Sequence, residues 1–245
     1  MVNDPILRIG EAGLETTDEK VKALMSRMVN AQTPGFKSSD VAIRSFPVEL
    51  EAAQQKLQSQ KPQIDGTFYN HLQGSLIRTG GPTDLALGAE GFFVILGEWG
   101  EGYTRDGRFT RDAEGKLVTT VGNYPVLGQS GPIFIPPGSD INISENGEIR
   151  IDGQLLDVLR VVNFPNKQEL ESLNGSIFRD PGNRMLLTEV VAPRIVQGYI
   201  EASNVNIVDE MMQLIYLNRI YNLDTKIVST RDTTLSRAIE MGKVQ

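Results

Sequence analysis

The stretch from Asn206 to Met241, "NIVDEMMQLIYLNRIYNLDTKIVSTRDTTLSRAIEM", contains neither Gly nor Pro. Asn206 is a good N-cap residue, and Asp209 stands at the third position, where an acidic side chain suits the helix dipole. The spacing predicts one helix of about 35 residues, roughly 50 Å long. Helices of that length belong to coiled coils and assemblies more than to globular cores. At about 100° per residue its apolar residues fall on two sides. Ile207, Val208, Met211, Met212, Leu214 and Ile215 share one side, and Leu217, Ile220, Tyr221, Val228, Leu235, Ala238 and Ile239 the other. Either the helix crosses its own domain or neighbours surround it. One small domain can cover only one side, so the pattern favours neighbours, with self-assembly as their simplest source.

A shorter helix is expected near the N-terminus. Thr16 followed by Glu19 has capping-box spacing. Val21, Leu24, Met25 and Met28 then fall at i, i+3, i+4 and i+7, one narrow apolar stripe. Pro34 lacks a donor and biases Thr33 away from the α region, so the helix should end between Val29 and Ala31. Pro34-Gly35 suits the centre of a type II turn. A stripe of three to four turns cannot cover both sides of the long helix.

Between the helices the signals are β. Residues 38–84 read as a connecting segment, with helix formers in "ELEAAQQKLQSQ" and strand fragments in "KPQIDGTFYNHLQGSLIRTGGPTD". From Leu85 to about Val191, short strands alternate with the turn signals Asp106-Gly107, Glu114-Gly115, Gly122-Asn123, Asn146-Gly147 and Asp152-Gly153. With no helices interposed, this favours an antiparallel barrel-like or sandwich-like domain over a βαβ fold. The expected fold class is therefore mixed α+β. Terminal helical segments (1–37 and 204–245) flank a connecting segment (38–84) and a central mainly-β domain (85–203).

Composition removes several functions. The net charge of −7, without a basic stripe, argues against nucleic-acid binding. The absence of cysteine removes disulfides, thiolate metal sites and thiol catalysis. No apolar run reaches the ~18 residues that span a bilayer, and "MVNDPILRIGEAG" lacks the pattern of a signal peptide. His71, the only histidine, has no nucleophile-elbow context and reads as a surface or loop residue. "GEWGEG" (97–102) fails the dinucleotide fingerprint. "DAEGK" and "SENGE" fail the calcium-loop pattern. The acidic pairs Glu98/Glu101 and Asp209/Glu210 read as a solvated loop and as first-turn acids, and Met211-Met212 as packing. No catalytic, cofactor-binding or metal-binding residues are assigned. A binding module is the alternative class, with Trp99 as the one candidate glycan platform.

Both ends carry recognisable motifs. "NAQTPGFK" (30–37) resembles the N-terminal signature of the bacterial flagellar rod and hook protein family. "GYIEASNVNIVDEMMQLIYLNRIY" (198–221) resembles its C-terminal signature, matching at Gly198, Glu201, Ser203, Asn204, Val205, Asn206, Glu210, Met211, Ile215, Arg219 and Tyr221. "TDLALGAEGFFVI" and "YTRDGRF" are similar to the core of the family's β domain. "YPVLGQSGPIFIP" (124–136) is most like the proximal-rod type, with the distal rod and the hook as alternatives. The chain departs from the signature at Arg27, where Asn is usual, at Val29 and at Gln32.

The resemblance implies a non-enzymatic subunit of the basal-body rod, a tubular shaft that transmits torque around an export channel. Its terminal helices would pair as a coiled-coil layer, with self and other axial proteins as partners. Export by the flagellar type III apparatus, without a cleaved signal, would place it in the periplasmic space. The implied assembly residues are Val21, Leu24, Met25, Met28, Asn30, Thr33, Pro34, Gly35 and Phe36 at one end. At the other they are Asn204, Val205, Asn206, Val208, Glu210, Met211, Ile215, Arg219 and Tyr221.

Overall fold

The computed structural model describes residues 5–44, 63–181 and 186–242. Two units divide the chain. One holds both helices with residues 39–68, and the other holds residues 30–38 and 69–205.

In the helical unit, α1 spans Pro5–Val29 and α2 spans Ile207–Gly242. The end of α1 and both ends of α2 lie close to where the sequence pattern sets them. The start of α1 does not. The helix runs back through Thr16 and both of its glycines to Pro5, a residue suited to a first helical position. Thr16 is no cap: its hydroxyl donates to the Gly13 carbonyl at 2.9 Å, and Glu19 instead accepts from Lys22 at 2.8 Å. Packing supplies the reason, because α1 lies against α2 and a Cβ on Gly13 would stand 3.4 Å from the Asp224 carboxylate. Tertiary contact outweighs the ~1 kcal/mol that glycine costs a helix. Asn206 caps α2, its side-chain oxygen accepting from the Val208 amide at 3.1 Å. Ser39–Arg44 and Gln63–Tyr69 form a two-stranded sheet. "ELEAAQQKLQSQ" lies outside the described residues.

The β unit is built on a six-stranded sheet. Its order is Glu171–Ser172, Ile177–Arg179, Gly100–Thr104, Phe92–Gly97, Val161–Asn163 and Thr188–Glu189, with antiparallel pairings throughout. The central strand explains the continuous apolar run "FFVI". Phe93 and Ile95 enter one core cluster, with Val161 and Ile177, while Phe92 and Val94 enter a second, with Val162 and Phe178. Successive side chains point to opposite faces, and both faces are covered. Among the described residues no sheet closes on itself as a barrel.

Most turn signals hold. Asp152 (φ +49°) and Gly153 (φ +82°) form the tight turn between Glu148–Ile151 and Gln154–Val158. Gly122 and Asn123 are likewise both at positive φ. Asp106-Gly107 differs: the strand after it, Phe109–Arg111, pairs forward with Leu117–Thr119 and not back with Gly100–Thr104. Gly107 is there for closeness, since a Cβ would sit 1.6 Å from the Leu85 carbonyl oxygen.

Candidate functional site

Inside the β unit the two terminal signatures meet. Thr33 to Phe36 make a tight turn, with the Phe36 amide donating to the Thr33 carbonyl at 3.2 Å and Gly35 at φ +69°. This is the geometry expected of Pro34-Gly35. The Gly35 amide donates to the Glu201 carbonyl at 2.8 Å, and a Cβ there would lie 2.2 Å from the Asp106 nitrogen. Phe36 is buried, and Gly175 is kept open for it, because a Cβ there would meet its ring at 2.2 Å.

Beyond Phe36 lies a buried charge cluster. Glu201 is fully buried, Lys37 1% exposed and Arg105 4% exposed. One carboxylate oxygen of Glu201 accepts from the Lys37 ammonium at 2.6 Å and from the Gly74 amide at 3.0 Å. The other accepts from the Arg105 guanidinium at 3.0 Å. The ammonium also donates to the Leu72 carbonyl at 2.7 Å. Burial pushes the pKa of Lys37 down, against the attraction of Glu201, and acts on Arg105 in the same direction. Two cations thus share one anion, which makes Glu201 the hinge of the cluster's energetics. A neighbouring tie uses Asn204. Its side-chain oxygen accepts from the Ser38 amide at 2.8 Å, and its amide donates to the carbonyls of Asn70 at 2.7 Å and Leu72 at 3.1 Å.

His71 borders this cluster. It lies in a loop, as the sequence suggests, but it is not a surface residue. Its ring packs against Phe92 and Phe178, and Nε2 lies 3.1 Å from the Lys167 carbonyl. Burial, followed by the nearby charges of Lys37 and Lys167, pushes its pKa down to about 4. Trp99 is no open platform: its ring packs edge-on against Tyr124 and beside the first core cluster.

The helical unit has a charge cluster of its own. Arg27 and Glu210 are both buried. Nε of Arg27 donates to Glu210 at 2.9 Å, and one terminal nitrogen lies 2.8 Å from the other carboxylate oxygen. That same nitrogen donates to Gln213 at 3.2 Å, and the second terminal nitrogen to the Ser39 carbonyl at 2.6 Å. The residue that departs from the family's usual Asn therefore ties the end of α1 to the start of α2.

The remaining expected assembly residues divide by exposure. In α1, Leu24 is fully buried, Val21 and Met28 are half-buried, and Met25 is exposed. Asn30 and Thr33 are half-buried and hydrogen-bonded to each other, and Pro34 is buried. Asn204 and Val205 are half-buried, while Asn206 and Arg219 are exposed. Among the described residues of α2, Glu210 and Leu217 are buried and Leu214, Ile220, Asp224, Val228 and Arg231 half-buried, all on one side. The opposite side stays bare: Met211 is 48% exposed, Ile215 57%, Met212 58% and Val208 59%, while Tyr221, on the covered side, is itself partly exposed. Over the described residues α1 thus takes the side of Leu217, Ile220 and Val228, with Leu214 half-covered there although the sequence groups it with the other side; the side chains of Leu235, Ala238 and Ile239 lie outside the described ones.

Lys37, Arg105 and Glu201 were not singled out as functional from sequence. A Lys and a Glu inside the two signatures, with an Arg in "YTRDGRF", were the available signal, but pairing across about a hundred residues or more leaves no local pattern. Among the described residues no helix is long and apolar enough to cross a membrane.

Comparison with known proteins matches two parts of the sequence to family models and nearly the whole of it to relatives. Residues 196–241 match the family model "Flagellar basal body rod FlgEFG protein C-terminal", and residues 86–151 match "Flagellar hook protein FlgE/F/G D1 domain". The chain is 30% identical to the flagellar basal-body rod protein FlgG of Buchnera aphidicola subsp. Schizaphis graminum, covering 97% of this chain and 99% of the relative. It is 30% identical to FlgF of Caulobacter vibrioides over 98% and 99% of the two chains. Against FlgF of Salmonella typhimurium it is 31% identical over 95% of each.

Proposed function

The chain belongs to the flagellar basal-body rod protein family, and from that premise we propose that it is a structural, non-enzymatic rod subunit that assembles with axial proteins through its terminal helices. The observation that carries this reading is the bare apolar side of α2. Val208, Met211, Met212 and Ile215 stand exposed opposite the side that α1 covers. A row of that kind on a long helix is stabilised by burial against neighbours, at about 25 cal/mol per Å² of apolar surface removed from water. In the assembly α1 and α2 form a coiled-coil layer around the export channel, with neighbouring subunits laid on the bare side. The chain passes out unfolded through the flagellar export apparatus and takes its place in the periplasmic rod. We assign it to the proximal rod on the segment "YPVLGQSGPIFIP" (124–136), with the distal rod as the alternative.

The experiment is Met211→Glu combined with Ile215→Glu in the full chain. Both residues are exposed, so the isolated protein should unfold within about 0.5 kcal/mol of the parent. Incorporation into basal bodies, and with it motility, should be lost. Normal incorporation of a stably folded double variant would refute assembly through this side.

A further inference from the structure

We propose that Arg27 and Glu210 form a register latch, a buried ion pair that admits one alignment of α1 on α2 and rejects the others. The inference concerns the helix pair of a single chain and holds whether or not chains assemble. Arg27 lies opposite Glu210 and Gly13 lies opposite Asp224, so two separate contacts report the same antiparallel register.

Over the described residues the apolar part of the seam does not define that register. Leu24 on α1 and Leu217 on α2 are the buried apolar residues there, and covered positions of α2 recur at heptad spacing as Glu210, Leu217 and Asp224, with Leu214 and Val228 four residues after the first and the last of them. Sliding α2 by one heptad, about 10 Å, brings Leu24 near Ile220, an apolar match like the native one. The same slide sets Arg27 opposite Leu217. Its guanidinium would then be buried against aliphatic carbon, and Glu210 would pass beyond the end of α1. An unpaired buried charge is among the costliest defects in a protein interior, whereas a shifted leucine costs little.

In the native register the guanidinium is well provided for. It has both oxygens of Glu210, the side chain of Gln213 and the backbone carbonyl of Ser39, with the Asp40 carboxylate 3.8 Å away. Three segments therefore converge on one planar group whose fork geometry tolerates no sliding. Buried polar residues fix register in coiled coils by the same logic.

The test uses the full-length chain, which has no native cysteine to interfere with labelling. Spin labels go on Lys20→Cys and Thr230→Cys, both exposed and separated along the helix pair by about 20 Å in the native register. Excess unlabelled chain removes distances between molecules. The parent should show one distance. Arg27→Met combined with Glu210→Leu replaces the pair with apolar groups, and it should keep its helix content while showing a second distance shifted by about 10 Å. A single parental distance in that variant would overturn the latch, because apolar packing alone would then set the register. More than one distance in the parent would overturn it as well. If the apolar variant loses its helices, Arg27→Gln decides, since it removes the cation and the fork and leaves Glu210 unpaired in the native register. A second distance then supports the latch, and a single parental distance sinks it.

Discussion

Replacing Glu201 by Gln keeps the shape of the buried junction and removes its only anion. Lys37 and Arg105 then remain at 1% and 4% exposure without the carboxylate both of them bond, Arg105 keeping the more distant, exposed Glu90. The new amide can keep its oxygen toward Lys37 and Gly74, but its NH₂ must face the Arg105 guanidinium across the 3.0 Å that the carboxylate now fills. Removing one partner of a buried ion pair costs about 3–5 kcal/mol. At roughly 2–4 °C per kcal/mol for a protein of this size, the melting temperature should fall by about 6–20 °C. Lys37 offers partial relief, because burial already depresses its pKa. Loss of Glu201 depresses it further, and a lysine that sheds its proton more readily when folded gains stability as pH rises. The deficit should therefore shrink in alkaline buffer. Trp99, the only tryptophan, packs on Tyr124 within the β unit and reports its unfolding by fluorescence in urea. Adding Lys37→Met to Glu201→Gln should restore part of the loss, since one buried cation instead of two is left unpaired. A loss under about 1 kcal/mol at pH 7, or a deficit that does not change with pH, would refute the reasoning.

Other outcomes follow from the same geometry. Gly35→Ala should cost more than Gly153→Ala in a denaturant titration. Both positions have positive φ, near 1 kcal/mol of strain for alanine, but only at Gly35 does the new Cβ meet backbone, 2.2 Å from Asp106, while at Gly153 nothing lies within 4 Å. Equal losses would contradict the close approach. His71 has its pKa lowered from 6.5 to about 4 by burial and then by Lys37 and Lys167, so its contribution is complete above pH 6.5 and is lost as pH falls toward 4. Allowing for the ring's partial exposure, about 1–2 kcal/mol should disappear over that window. Urea midpoints at pH 7 and pH 4.5 should fall further apart in the parent than in His71→Gln, and equal separations would sink the assignment.

What could be read from residue order was local. The absence of Gly and Pro from 206 to 241, the Asn206 cap and the Thr33-Pro34-Gly35 stop all act within a few residues, and the structure keeps each of them. The structure starts α1 earlier than a Thr16 cap implies, because Gly10 and Gly13 weaken a helix by only ~1 kcal/mol each and packing on α2 supplies support. Asp106-Gly107 has hairpin chemistry, yet its glycine answers to the Leu85 carbonyl. The charge clusters were hidden for a related reason. Glu201 is separated from Lys37 by 164 positions and from Arg105 by 96, and Arg27 from Glu210 by 183. Periodicity cannot register partners that only the finished fold brings together. His71 illustrates the converse: a lone histidine in a Gly-containing loop looks solvated until two phenylalanines from distant strands close on it.

The two clusters also explain how so thin a seam can hold two long helices. The chain passes between the units at 29/30, 38/39, 68/69 and 205/206, and the first and last of these junctions border the helices. Within the β unit the segments next to those two junctions are pinned together, Gly35 on Glu201 and Ser38 on Asn204. Closing the loop of more than 160 residues between them is an entropic cost met inside the β unit, where core burial is ample. The helices therefore meet at a high effective concentration, and a seam with Leu24 and Leu217 as its fully covered leucines can suffice once Arg27 and Glu210 have set its alignment. The seam has a consequence for assembly, because among the described residues of α2 Val208, Met211, Met212 and Ile215 remain uncommitted and available to neighbours. It also orders the variants. Substitutions at Glu201 should reduce helix content along with the Trp99 signal, since they release the tether, whereas substitutions at Arg27 should change the helices and leave the Trp99 transition where it is. Independent loss of the two signals in a Glu201 variant would show that the helices need no tether.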